Sequence, residues 1–349
     1  MADNSAWPLE FLEFDRTFTA MMTGAKLFGV AAGAAFLTGY GVFVDRRADL
    51  REAAAEARYG PIGHLINVNG TEVHAFVAGA GPDLILIHGA SGNLRDFSFD
   101  LVERLQDRYR VIAFDRPGLG WTERLPTYRN TRNIQGETPR EQAALLQLAA
   151  DALNVRNPIV VGHSFGGAVA LAWGLERPND TAAIVGLGAV SNPWPGSLST
   201  LYRINASRLG SAVVVPWLAA FASKHRIDET IASIFAPDAV PEGYIRRVGA
   251  PLTVRRTALR ANAQQVWNLR PHIVEMSVLY ADTLKMPVEI VHGTADTIVP
   301  MDIHADVLAS QLRNARYTKL EGIGHMPHHA VPESVVDVID SAALRAGLR

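Results

Sequence analysis

The sequence predicts an α/β fold built on a mostly parallel sheet with helices on both faces, and three observations carry that expectation. Short apolar runs alternate with segments of helical periodicity along most of the chain. Several of those runs are continuous, such as LILIHG at Leu84–Gly89 and VIAFDRPG at Val111–Gly118, as strands covered on both faces require. The alternation then breaks for about 95 residues, between Ser191 and Lys285, which is too long for a loop and implies an inserted helical cap.

Taken in order, the chain starts with a tail at 1–19 and an apolar stretch at 20–44. The 18 residues between Lys26 and Asp45 carry no formal charge. At about 1.5 Å per residue a helix of that length reaches roughly 27 Å, close to a hydrocarbon core of about 30 Å. We therefore expect a single-pass transmembrane anchor, against the alternatives of a cleaved signal peptide or a helix packed on the folded body. Arg46, Arg47, Arg51 and Arg58 come after the stretch while Arg16 and Lys26 precede it, which favours a cytoplasmic position for the domain on its C-terminal side. Gly29 and Gly33 form a GxxxG, a spacing that offers a homodimer contact.

A linker helix is expected at 45–60, from the EAAAEAR run. The first part of the core, 61–190, opens with a hairpin signal at Asn69-Gly70 and continues through LILIHG, VIAFDRPG, PIVVG and AAIVGLGAV. Helical periodicity fills Asn93–Tyr109 and Thr138–Leu153 between them. The cap, 191–285, holds 11 Lys or Arg against 6 Asp or Glu, a net of +5, beside −2 for the whole chain. The second part of the core, 286–349, carries PVEIVHG, a helix near Met301–Leu312, ARYTKLEG and a closing helix near Pro332–Ala346.

Bulk composition excludes several function classes. A net charge of −2 gives no whole-chain electrostatic case for nucleic acid. The absence of cysteine removes disulfides, thiolate metal sites and a cysteine nucleophile together. No ligand spacing suggests a metal and no motif calls for an organic cofactor.

The chemistry collects at strand ends, where ligands bind in such sheets. Gly162-His163-Ser164-Phe165-Gly166 is a G-x-S-x-G on a strand-to-helix turn, with Gly162 and Gly166 relieving a crowded bend. Asp296 comes after PVEIVHG, and His325 after ARYTKLEG within GIGHMP. A serine hydroxyl is a poor nucleophile until a base takes its proton, which assigns the base to His325. Asp296 would orient that imidazole and stabilise its charge. Asp302 competes for the acid's role, and His328 and His329 compete for the base's. The oxyanion requires two backbone N–H donors, expected at Ala90 and Phe165. His88, Gly89, Ser91, Asn93 and His163 are expected to line the site or support its loops, and Asp115 to be structural.

HG at His88-Gly89, DRPG at Asp115–Gly118, GHSFGG, GTAD and GIGH resemble the α/β-hydrolase superfamily over about Ile62–Ala346, apart from the cap. The resemblance implies the α/β-hydrolase fold and a serine hydrolase acting on carboxylic esters, lipid-like or amphiphilic ones included. Amide or carbon–carbon bond hydrolysis and acyl transfer use the same triad and stay open, with a non-catalytic binding protein as the reading from another class. Epoxide hydrolases and haloalkane dehalogenases of this superfamily place aspartate where Ser164 stands, so the serine points to acyl transfer. An apolar tunnel under the cap is the expected route for an acyl chain.

Overall fold

The computed structural model describes residues 37–349. Most of the expected anchor, with Gly29 and Gly33, lies outside them. Residues 37–58 form one helix, α1, so the expected boundary between anchor and linker at 44/45 is no break in the backbone. Among the described residues no single helix is long and apolar enough to cross a membrane.

Eight strands form one sheet: β1 (His64–Val68), β2 (Thr71–Ala78), β3 (Asp83–Ile87), β4 (Arg110–Phe114), β5 (Ile159–His163), β6 (Ala183–Leu187), β7 (Val288–Gly293) and β8 (Ala315–Leu320). Their order is β1-β2-β4-β3-β5-β6-β7-β8. The β1–β2 hairpin turns at Asn69-Gly70, both at positive φ, and pairs antiparallel with β4 through β2. All later pairings are parallel. Every residue of β3, β5, β6 and β7 is buried, which is why these strands read as unbroken apolar runs.

Between β3 and β4 the expected single helix is two short ones, α2 (Arg95–Ser98) and α3 (Leu101–Leu105), separated by Asp100 at a non-helical φ of −152°. Helix α4 (Pro139–Ala152) begins with a capping box, Thr138 and Glu141 each bonding the other's backbone N–H. Helix α5 (Phe165–Glu176) is buried along nearly its whole length and seats Trp173 in the core. It is apolar all round because neighbours enclose it on every side.

Between β6 and β7 the chain runs through α6 (Thr200–Ala206), a π-turn at Gly210–Val214, α7 (Val215–Phe221), α8 (Lys224–Phe235), α9 (Tyr244–Arg247), α10 (Arg256–Trp267), α11 (Leu269–Ser277) and α12 (Tyr280–Thr283). The remainder is α13 (Ala305–Gln311), α14 (Pro327–Ala330) and α15 (Pro332–Arg345), the last packed with α3 on one sheet face through Leu101, Val336 and Ile339.

Helix α1 is fastened to this inserted region by charge. Arg256 of α10 pairs with Asp45, Asp49 and Glu52, and Arg255 pairs with Glu56, so the acids recur at helical spacing along one face. In the other direction Arg47 and Arg51 donate to the carbonyls of Ala220 and Ala222 at the end of α7. Val44 and Ala48 bury against Ala219 and Ala220 between these contacts. Replacing Arg256 with Ala should therefore raise amide hydrogen exchange across 45–58 and make it less salt-sensitive than in wild type, because the screened ion pairs are gone, while the core strands exchange unchanged. Unaltered protection of 45–58 would show that the Arg256 ion pairs do not hold α1, leaving the Arg47, Arg51 and Arg255 bonds and the apolar contacts to do so.

Candidate active site

Ser164 stands between β5 and α5 at φ 54° and ψ −120°, a conformation L-residues rarely hold. Its N–H donates to Leu187 O at 2.9 Å, and its carbonyl accepts from Gly167 and Val190, so the strained turn is pinned from both sides. The flanking glycines are required by space. A Cβ on Gly166 would overlap the carbonyl oxygens of Ile87 and His88, and one on Gly162 would overlap the carbonyl of Gly166.

The strand ends bring the other residues in. His325 Nδ1 lies 2.7 Å from Asp296 Oδ2, with both side chains buried. Gly188, directly after Leu187, sits against this pair: a Cβ there would lie 3.4 Å from both Asp296 Oδ2 and His325 Nδ1. The backbone bonded to Ser164 is thus the backbone that touches the Asp296–His325 pair. Asp302 is exposed, and His328 and His329 bond elsewhere.

Asp296 is tightly held. Burial alone would raise its carboxyl, but hydrogen bonds from His292 and His325 outweigh that and hold it well below the usual carboxylate range. Its Oδ1 also accepts from the N–H groups of Ile298 and Val299. A carboxylate so supplied stays ionised at neutral pH.

Phe165 follows Ser164 in the chain, and the loop after β3 that carries Ala90 reaches the serine through Gly89. Phe165 is the first residue of α5, so its N–H has no partner within the helix. Gly89, which precedes Ala90, lies so close to the elbow that a Cβ on it would be 3.1 Å from Ser164 Cβ. His88 braces this loop: its Nε2 accepts from the Arg116 N–H at 3.0 Å, so the proton sits on Nδ1, which donates to Gly89 O at 2.9 Å. Burial first, then the nearby Arg116 charge, pushes His88 down to about 4. His163 Nε2 donates to His325 O at 2.9 Å, and burial followed by the neighbouring imidazoles keeps its ring neutral.

Ser91 and Asn93 face the inserted region. Asn262 of α10 accepts from the Ser91 N–H at 2.7 Å, and its amide donates to Ser91 Oγ at 2.8 Å. Asn93 donates to Val248 O. Asp115 accepts from His74, Leu94 N and Trp121 N, tying strand β2 to the segments before α2 and after β4.

A family model described as the Alpha/beta hydrolase family matches residues 84–338. The chain belongs to that family. Among its relatives is the Magnesium-chelatase 30 kDa subunit of Rhodobacter capsulatus, 29% identical over 294 residues, covering 83% of this chain and 94% of that protein. Another is the pimeloyl-[acyl-carrier protein] methyl ester esterase of Aromatoleum aromaticum, 28% identical over 278 residues, or 74% of this chain and 97% of that protein. A putative lipase from Acinetobacter baumannii superposes with a TM-score of 0.65 at 20% identity, covering 86% of this chain and 96% of that one, a likeness of fold.

Three buried groups of this α/β hydrolase escape sequence reasoning. Asp96 accepts from His328 Nε2 at 3.0 Å, His329 Nε2 at 2.9 Å and the Tyr244 hydroxyl at 2.6 Å. Its two imidazoles and carboxylate lie within 4.8 Å of one another and could hold a divalent ion, although each imidazole already serves the carboxylate. Arg116 lies wholly buried beneath the Gly89 loop. Asn262, Gln264 and Gln265 turn a polar run of α10 inward, and that run within an otherwise small-residue helix face is the available signal.

These neutral histidines make acid stability a direct readout. His88 and His304 are both pushed down to about 4, each chiefly by burial, while His163 and His328 are lowered in the same direction. Unfolding releases them to an ordinary value near 6.5, so between about 6.5 and 4 the unfolded chain binds more protons. Their stabilisation is whole above that window and is lost as pH falls through it. His88 alone accounts for up to about 3 kcal/mol. The melting temperature should fall steadily from pH 7 to pH 4.5, and a flat profile would refute the neutral assignments.

Proposed function

We propose that the chain is a serine hydrolase of carboxylic esters, with Ser164 as nucleophile, His325 as general base and Asp296 as the residue that orients it. The observation that carries this reading is a buried Asp296 bonded to His325 against Gly188, whose chain neighbour Leu187 accepts from the N–H of a serine held at strained φ. His325 would take the Ser164 proton during attack, hand it to the leaving alcohol, and repeat the cycle with water to release the acid. The N–H groups of Ala90 and Phe165 would receive the developing oxyanion, each worth about 3 kcal/mol. Serine in place of aspartate at the elbow supports an acyl-enzyme, and a relative named as a methyl ester esterase supports the ester over the amide.

The test is labelling by a fluorophosphonate together with turnover of p-nitrophenyl esters of graded chain length. Wild type should label and hydrolyse. Ser164→Ala should not label, with kcat lower by about 10⁶-fold, and Asp296→Asn should lose about 10⁴-fold. Labelling that survives Ser164→Ala would remove this nucleophile, and an unlabelled wild type would remove the enzyme.

We further propose that the segment 20–44 holds the protein at a membrane with the hydrolase domain on the cytoplasmic side. Support comes from the apolar end of α1, where Leu37, Val42 and Phe43 are exposed, and from Phe221 of α7 beside Phe43, with Trp217 against Phe221. Aromatic side chains gather at membrane–water interfaces. The full chain should sediment with membranes after lysis and be released by detergent, whereas a chain starting at Ala53 should remain in the supernatant. Recovery of the full chain in the supernatant without detergent would refute the anchor.

A further inference from the structure

We propose that Arg116 is a positioning residue for the oxyanion site, gripping the Gly89 carbonyl so that the N–H of the same peptide unit, on Ala90, is held toward Ser164. The inference rests on Ser164 being the nucleophile and extends that reading to a residue that touches no reacting atom.

The geometry is a consequence of peptide planarity. Gly89 O and Ala90 N–H belong to one trans amide and point in opposite directions, so fixing the oxygen fixes the hydrogen. Gly89 O accepts from Arg116 Nη2 at 3.1 Å and from His88 Nδ1 at 2.9 Å. The Gly92 N–H also donates to that oxygen, at the longer distance of 3.4 Å, and the three donors together oppose a peptide flip. They also polarise the amide, which strengthens the N–H as a donor on its far side.

The same guanidinium reaches the second oxyanion residue. Its central carbon lies 4.2 Å from the centroid of the Phe165 ring, a cation–π contact. Arg116 therefore touches Phe165 through its ring and the peptide unit that carries the Ala90 N–H through Gly89 O.

Stability alone does not account for the residue. Arg116 is completely buried, its Nε finds no acceptor, and its other partners are the neutral amide oxygens of Gln142 and Gln265. Among the described residues no carboxylate forms an ion pair with it; the nearby Glu137 is spent on Arg124. Burying a cation without an ion-pair partner is costly. The charge, offset in part by Glu137, lies behind the Gly89 peptide, on the side away from its N–H, and a fixed charge there needs no reorganisation during the reaction. Gln265 comes from α10, so the grip is shared with the inserted region.

The experiment compares full-length wild type with Arg116→Gln and Arg116→Lys, using p-nitrophenyl butyrate and a fluorophosphonate. Arg116→Gln should lower kcat by about 10- to 100-fold, hold KM within about threefold, and slow Ser164 phosphonylation by a matching factor. Inhibition by a boronic acid, which forms an anionic tetrahedral adduct, should weaken by the same factor. Arg116→Lys should recover part of each loss by restoring the charge without the fork. A purely structural role would instead lower the melting temperature and the titratable active-site fraction, with kcat per active site unchanged, and that result would overturn the proposal. If Arg116→Gln does not fold, Gln265→Leu decides, because it releases one side of the guanidinium. A kcat loss of about threefold or more at unchanged KM supports the grip, and an unchanged kcat overturns it. Turnover that persists in Ser164→Ala would instead overturn the catalytic reading beneath it.

Discussion

The turn between β5 and α5 is the constraint on which the rest of this molecule depends. The backbone there has no spare volume, since Gly166 lies against the carbonyls of Ile87 and His88 and Gly162 lies against Gly166 itself. Ser164 can hold its strained φ only because Leu187, Val190 and Gly167 bond its peptide groups. The close approach of α5 to the end of β3 brings the Gly89 loop to the serine. The bond to Leu187 carries Gly188 alongside, and with it the Asp296–His325 pair. One tight crossing of backbone thus sets the relative positions of loops from β3, β5, β6, β7 and β8.

The inserted helices are bonded to those loops and do more than cover them. Asn262 holds both polar groups of Ser91, Tyr244 donates to Asp96, and Asp238 accepts from Gly324 just before His325. Each bond is buried or partly buried, so breaking one exposes an unsatisfied group and costs about 1–3 kcal/mol. Motion of this region would accordingly disturb the Gly89 loop and the His325 loop together. Helix α1 grips the same region through Arg255 and Arg256, which links the end of the apolar N-terminal segment to α10 and, through Asn262 and Gln265, to the floor of the site.

Much of this was legible from sequence. All eight strands announce themselves because the buried ones are unbroken apolar runs and the hairpin carries Asn69-Gly70. Ser164, Asp296 and His325 were legible as candidates because each comes after a strand within a short motif, so their position depends on local chain order. Arg116, Asp96 and Asn262 were not. Arg116 sits inside DRPG, where the motif draws attention to the turn, and nothing local shows a cation turned inward. Asp96 and His328 are 232 positions apart, a separation that only the closed sheet removes. The split of the expected helix at Asn93–Tyr109 was hidden too, because Asp100 breaks helical backbone while the apolar spacing continues across it.

A single device recurs in the interior, and its variations separate scaffold from chemistry. Three buried aspartates are each met by imidazole: Asp115 by His74, Asp96 by His328 and His329, and Asp296 by His325 and His292. The free ring nitrogens of His74, His328, His329 and His292 are sealed and partnerless, so proton transfer from any of them would strand a charge in a dry interior. His325 is different. Its Nδ1 is spent on Asp296, and its Nε2 is absent from the sealed set. Among the described imidazoles that meet these three aspartates, His325 alone pairs a bonded first nitrogen with a second that is not sealed, and it lies against Gly188, next to the backbone that bonds Ser164. The others use the same pairing to hold loops in place, which is why they multiply around the site without competing for its chemistry.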